Sequence, residues 1–364
     1  MVVKKILAIV FSVVKIQSIY ASEPSYCKAP SCENKGKWYF EAGLLLEQAR
    51  VSNSLVALHH YSGDGTSQSL RTDDTIRYTF DVDPGLRLAL GYETNHDNWL
   101  FSAGFEWMST EANVEESISG GVSSGGEYRA SNFPYIFYGT NTTSPILFQK
   151  VNASLNIDYF LLDVCLNKGT IISNYVSYEP FIGLEASWIY YNASRSMLDD
   201  ASTTPTIMPA NTSFLETSTV NFWGVGPMAG AEANYAFRTG WGLFSIANIA
   251  VLFGNNSLTD QSGFVTTETV PLYDKTNDQS LVISPTIRGI FGIDYKTTSF
   301  CGKHLMGFKL GMDARIYFNQ YPVILYRASE AYSSSSTRLN SFPTIIENGT
   351  FGMIGAVLDF NYLF

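Results

Sequence analysis

The chain holds 364 residues, with 33 acidic against 23 basic side chains and a formal charge of −10, a balance that argues against nucleic acid as a partner. Charged residues make up only 15% and aromatics reach 14%, whereas ordinary globular domains carry about 25% charged residues. Tyr and Trp in such number suit a protein whose rings sit at membrane interfaces, although a large extracellular sandwich can share that composition.

In chain order, Lys4 and Lys5 precede an apolar run from Ile6 to Val14, broken only by Ser12, and a small-residue site ends at Ala21. This pattern predicts a secretory signal peptide over 1–21. The run is too short for a membrane helix, which needs about 20 apolar residues. Removing Lys4, Lys5 and Lys15 with it leaves 20 basic residues against 33 acidic ones. No later stretch reads as a transmembrane helix. A membrane-resident mature chain would then have to be a closed barrel, because lipid cannot satisfy unpaired backbone groups. Residues 22–37 are assigned to a periplasmic lead and 38–364 to the barrel.

Ten segments alternate with the period of a strand: 38–50, 75–93, 97–113, 148–167, 172–192, 214–236, 240–254, 280–298, 303–319 and 346–364. In the third, Trp99, Phe101, Ala103, Phe105 and Trp107 share one face, opposite Leu100, Ser102, Gly104, Glu106 and Met108. In the ninth, the face from Met306 through Leu310 and Met312 to Phe318 opposes one bearing Lys309, Asp313 and Arg315. An apolar face closed by aromatics at both ends is what a lipid-facing strand presents. These segments also exceed the five or six residues of an ordinary strand. Gaps between them alternate long and short, which predicts five outward loops, short periplasmic turns and periplasmic termini. The fold class expected is an all-β, antiparallel, up-and-down transmembrane barrel of at least 10 strands (range 10–16), the upper figure allowing for hairpins inside the loops.

Two features disturb the pattern. Between Leu155 and Leu166 the apolar face switches from Leu155, Ile157 and Tyr159 to Leu162, Val164 and Leu166, which predicts a β-bulge. Pro227 and Pro285 lie inside strands and predict a bulge or strand start near each.

The sequence ends with apolar or aromatic residues at alternate positions from Ala356, through Phe360 and Tyr362, to Phe364. This ending resembles the assembly signal read by barrel-assembly machinery. Other stretches recur in a fixed order: Trp38-Tyr39-Phe40-Glu41-Ala42, Asp83-Pro84-Gly85, Asn98-Trp99, Pro180-Phe181-Ile182-Gly183-Leu184 and Asn221-Phe222-Trp223-Gly224. In this order they resemble the porin-like major outer-membrane protein family of Legionella and of environmental chlamydiae. Leu45 and Leu46 stand where that family often has Tyr-Trp. The resemblance implies an outer-membrane location reached through the periplasm, and diffusion of ions and small hydrophilic solutes alongside a part in envelope structure. The alternative is a non-conducting structural or adhesin barrel that works through its loops.

Cys27, Cys32, Cys165 and Cys301 all fall at the periplasmic end of this topology. An oxidising space permits disulfides: two intramolecular bridges are one outcome. The other, which the family resemblance implies, is cross-linking to neighbouring envelope proteins. The expected partners are therefore outer-membrane lipid, the barrel-assembly machinery, small solutes and disulfide-linked envelope proteins; a homo-oligomer is compatible with the porin resemblance.

No catalytic constellation stands out. His59 and His60 lie in an outward loop near Asp64 and Asp73, and His96 and His304 lie near turns; ordinary loop composition accounts for them. No CxxC or histidine cluster suggests a metal, and no cofactor is expected. The remaining candidates line the lumen: Arg87, Glu93, Glu106, Glu185, Glu232, Arg288, Asp294, Lys309, Asp313 and Arg315 fall on polar faces. They would either pair across a narrow interior or line a water path. Eight strands leave an interior filled by side chains and 16–18 enclose a channel, so ten strands sit near the closed end.

Overall fold

A computed structural model describes residues 37–52, 55–60, 73–94, 99–117, 127–130, 150–198, 213–265, 272–299, 304–326 and 344–364. The signal-peptide and lead assignments up to residue 36, His96, Cys27, Cys32 and Cys301 lie outside them.

Fourteen strands follow in order: β1 (Lys37–Val51), β2 (Leu55–His60), β3 (Asp73–Arg77), β4 (Val82–Glu93), β5 (Trp99–Ser117), β6 (Glu127–Ala130), β7 (Lys150–Lys168), β8 (Thr170–Ile171), β9 (Val176–Leu198), β10 (Ser213–Arg238), β11 (Trp241–Val265), β12 (Leu272–Ser299), β13 (His304–Tyr326) and β14 (Thr344–Leu363). Ten of them close a ring in the order β1-β4-β5-β7-β9-β10-β11-β12-β13-β14, with every neighbour antiparallel. The ring is sealed where β14 meets β1: the Trp38 and Phe364 backbones exchange two 2.9 Å hydrogen bonds. Closure pairs the strand edges, which lipid requires.

The strands run far past a membrane's thickness; β12 alone has 28 residues. Along β5, the eight steps from Trp99 to Trp107 cover about 27 Å at ~3.4 Å per residue. Tilted by roughly 40°, that distance gives about 20 Å, close to the apolar band of an outer-membrane barrel. Exposed rings mark the lower rim, where Trp38 packs on Tyr92 at 5.1 Å and Trp241 on Tyr295 at 5.0 Å. Trp107, Tyr190 and Trp223 mark the upper.

Between the rims the outer face is apolar and exposed, as at Leu90, Val164, Ile249 and Leu310, while the inner face is charged. Above the upper rim the polarity inverts. Ser109, Glu111 and Asn113 now point outward on β5, as Asn156 does on β7. Inward go Leu155, Ile157, Tyr159, Ile189, Phe222 and Leu252, none more than 2% exposed, in one cluster. That half is built more like a soluble barrel, mostly apolar inside and polar outside, with Arg195, Asn256 and Asp260 as buried exceptions.

This inversion corrects three sequence expectations. The apolar switch along 155–166 is no bulge, because β7 keeps unbroken register with both β5 and β9; it is the point where the strand leaves the membrane. Parts of two segments expected as loops are strand, since their outward residues turn polar above the lipid: 193–198 continues β9, and 255–265 and 272–279 belong to β11 and β12. The segment 75–93 is two elements: β3 joins β2 and β6 in a separate three-stranded sheet, and β4 enters the barrel. Pro227 sits inside β10 with the register intact on both sides. Near Pro285 the expected irregularity is present but lies in the partner: the β13–β14 register shifts between Tyr317 and Tyr321, and Asn319 has φ 59°. The tight β10–β11 turn uses Gly240 at φ +76°, where a Cβ would press on the Lys296 carbonyl.

Candidate functional site: a belt across the barrel interior

Alternation puts each charged side chain on the inner wall, and closure brings opposite walls together. Glu106 on β5 and Arg288 on β12 stand five strands apart in the ten-strand ring, yet Arg288 Nη1 donates to Glu106 Oε1 at 2.7 Å. Arg315 on β13 donates to the other Glu106 oxygen. Arg288 Nε reaches both Asp313 oxygens at 3.2 and 3.1 Å. From the near wall, Arg87 approaches Glu106 at 3.4 Å, Glu41 at 3.5 Å and Asp359 at 3.4 Å. The result is a continuous belt of alternating charge across the full bore, in which each arginine holds more than one carboxylate.

One level up, the belt meets rings. Tyr159 on β7 and Tyr317 on β13, again five strands apart, lie hydroxyl to hydroxyl at 2.6 Å, and Arg315 donates to Tyr159. Phe351 packs on Tyr159 at 6.2 Å and on Tyr191 at 5.8 Å. One level down, Lys309 on β13 bonds Glu232 on β10 at 3.0 Å and lies 5.3 Å over the Phe244 ring; Lys296 pairs with Asp294 at 3.1 Å.

The inner wall thus holds all ten expected lumen residues. Glu106, Arg288, Asp313, Arg315 and Arg87 form the belt, Lys309 and Glu232 pair below it, and Glu185 accepts from Thr286 at 3.4 Å. Glu93 and Asp294 stand toward the lower rim. The sequence reading missed Glu41, Glu47, Asp163 and Asp359, which share the same inward parity and could have been found by it. It also placed Tyr159 with the apolar stripe; no local pattern marks it as an inward ring.

Several of these buried groups lack a protein partner: Glu47 Oε1, Asp359 Oδ1, Asp294 Oδ1, Arg315 Nε and Ser187 Oγ. Leaving a buried polar atom unpaired costs about 1–3 kcal/mol, and such atoms are the usual sites of buried water.

Cys165 carries a free thiol on the inner wall of β7, 3.9 Å from Asp163. It is buried there rather than facing the periplasm, as the sequence reading expected, because an odd-numbered position on β7 points inward. At the other end of the sequence, Tyr362 stacks on His304 at 5.5 Å, and Phe360 packs tilted against Phe308 at 5.2 Å, with Phe364 exposed. His59 and His60 lie on β2, in backbone register with Asp74 and Asp73 of β3. Among the described residues no cluster of His, Cys, Asp and Glu suits a metal ion, and no helix is long and apolar enough to cross a membrane.

A closed, antiparallel ten-strand barrel with an apolar belt between aromatic rims is an outer-membrane β-barrel. The family described as "Legionella pneumophila major outer membrane protein precursor" matches residues 29–364, so the chain belongs to that family and resides in the outer membrane. Among solved structures it is similar to the outer membrane protease OmpT of Escherichia coli, with 7% identity, TM-score 0.44, and 93% of this chain and 99% of that one covered. It is also similar to the Pseudomonas putida toluene transporter TodX, with 9% identity, TM-score 0.28, and 94% of each chain covered. A Pseudomonas aeruginosa FadL homologue aligns with 8% identity, TM-score 0.23, and coverage of 96% and 95%. A search of curated proteins found no match.

Proposed function

We propose that this barrel is a porin-like passage of low conductance for ions and small hydrophilic solutes, closed in the form described and opened when the belt parts. The observation that supports it is that, between the aromatic rims, the bore is crossed by ion pairs rather than by an apolar filling. Buried ion pairs are often matched or exceeded in stability by hydrophobic residues of the same volume, so stability alone gives little reason for three arginines to meet at Glu106. A lumen that admits water and ions at times gives one. The unpartnered carboxylate oxygens at Glu47, Asp294 and Asp359 are consistent with a wetted wall. Carboxylates outnumber bases on it, which favours cations over anions. The proposal includes no catalytic step and no cofactor.

Planar-bilayer recording of refolded protein tests this reading. Wild type is expected to give rare, small steps, and Glu106→Gln, which leaves Arg288 and Arg315 facing each other, is expected to raise open time several-fold. Silence from both would overturn the passage.

A second reading, a permanently closed scaffold that displays its upper half to the exterior, has its own support. Tyr159, Tyr317 and Phe351 pack into a buried apolar cluster above the belt, and Arg315 of the belt donates to Tyr159 from below. Silence in both recordings would favour it.

A further inference from the structure

The described parts of the connection between β1 and β4, residues 55–60 and 73–81, include Val56, Ile76 and Tyr78, which pack against the inner wall of the barrel. The connection leaves β1 at Ser52, whose amide donates to the Thr350 carbonyl at 2.9 Å. Its next described residues form β2, and Val56 there is 1% exposed. Val56 packs against Val151, Ala153, Met197 and Phe214, which belong to β7, β9 and β10. Those strands stand two, three and four places round the ring from β4, and β10 lies opposite β1. The segment therefore crosses the upper mouth, and Ile76 and Tyr78 pack against the same cluster on its way back. Phe80 then seats in the main apolar cluster, 3% exposed, its carbonyl accepting from Gln48 Nε2 at 2.6 Å.

One polar contact fixes this crossing on the far wall. Arg195 of β9 donates from Nη1 to the Val56 carbonyl at 2.7 Å, and its Nε donates to Glu216 of β10 at 2.8 Å. Arg195 is itself 8% exposed, so an apolar cluster and a buried charge-assisted bond hold the same residue. Burial of an arginine demands that both of its partners stay in place. Tyr78, outside the membrane span, has its phenol pushed up to about 12 by burial, as expected for a ring that packs against the inner-wall cluster.

We propose that residues 55–60 and 73–80 form a lid over the extracellular mouth, latched by Arg195 through the Val56 carbonyl and Glu216, which sets how often the passage below is reached from outside. The gating half of this inference rests on the passage reading; the lid itself does not. Opening would require that Val56, Ile76 and Tyr78 leave their cluster and the Arg195 bond break, while the ten-strand ring stays closed.

Two readouts on the folded, full-length protein in liposomes separate these halves. Arg195→Ala, with Glu216→Gln as a milder variant, is compared with wild type for external protease cleavage within 55–80 and for single-channel open probability; retention of the heat-modifiable folded band confirms an intact barrel. At least a five-fold faster cleavage in both variants is expected, together with a three-fold higher open probability at unchanged step size. Unchanged cleavage in folded variants would overturn the lid. Faster cleavage with no current from any variant, Glu106→Gln included, would keep the lid and refute the passage. Faster cleavage with unchanged open probability in a conducting barrel would refute the latch as a gate.

Discussion

Below the upper aromatic rim, the barrel turns Leu90, Val164 and Leu310 to lipid and folds Glu106, Arg288 and Asp313 inward; above it, the same strands turn Ser109, Asn113 and Asn156 to water and fold Leu155, Ile157 and Phe222 inward. The backbone does not change across that line. β7 passes through it with its pairing unbroken on both sides. What changes is the solvent, and the side chains follow it. A strand ladder satisfies its own hydrogen bonds in either medium, so a single sheet can serve a membrane protein and a soluble one end to end.

The largest test of that contrast strikes the charged interior. Glu106→Gln removes the carboxylate shared by Arg288 and Arg315, and loss of one partner from a buried pair typically costs about 3–5 kcal/mol. Denaturant unfolding in detergent or lipid measures it. A loss below about 1 kcal/mol would mean that the lower interior is already well solvated.

In the mostly apolar interior of the upper half, Leu155→Ala is expected to cost about 2–5 kcal/mol, as truncation of a packed core leucine does. Leu162→Ala, on the lipid face of the same strand, should cost far less, because lipid fills the space. Equal losses would erase the distinction between the halves.

Arginine scanning along one face of β5 locates the boundary itself. Ala103→Arg places a charge between the rims and is expected to cost about 2–4 kcal/mol. Asn113→Arg, ten residues on and facing the same way, should fall within roughly 0.5 kcal/mol of wild type. The residue at which the penalty vanishes marks the lipid surface.

The smallest effect belongs to the exposed rim. Lys150 pairs with Glu115 at 2.7 Å, and this contact holds the Glu115 carboxyl below its usual range. Both groups stand in water, so Glu115→Gln should leave the unfolding midpoint unchanged.

Much of this was legible beforehand, because period-two alternation carries directly into inside and outside. The charges at 87, 106, 288, 309, 313 and 315 reach the inner wall by parity alone. The upper half was misread for the same reason: alternation of apolar with polar was taken to mean lipid-facing, and where the outward residues became Asn, Ser and Thr the segments looked like loops. Asn255, Ser257 and Thr259 on β11 show the point, since they occupy regular strand positions paired on both sides. Which partners meet across the bore was out of reach. The meeting of Glu106 with Arg288 depends on ring closure and stagger, which no local pattern encodes. The path of Val56 over the mouth was equally hidden, because a six-residue strand in a polar connection gives no sign of the wall it will touch.

The seam between Trp38 and Phe364 bears on how the molecule comes into being. β14 follows every other barrel strand in chain order and pairs with both β13 and β1. The ring therefore cannot close until that strand has arrived, however early the rest has paired. Until then β1 presents a bare edge, whose open hydrogen bonds would welcome any other strand. Arg87 also waits, because one of its carboxylates is Asp359 on the closing strand. Sealing the wall and completing the charge network become a single late event, so a half-made barrel is marked as unfinished both at its rim and at its centre.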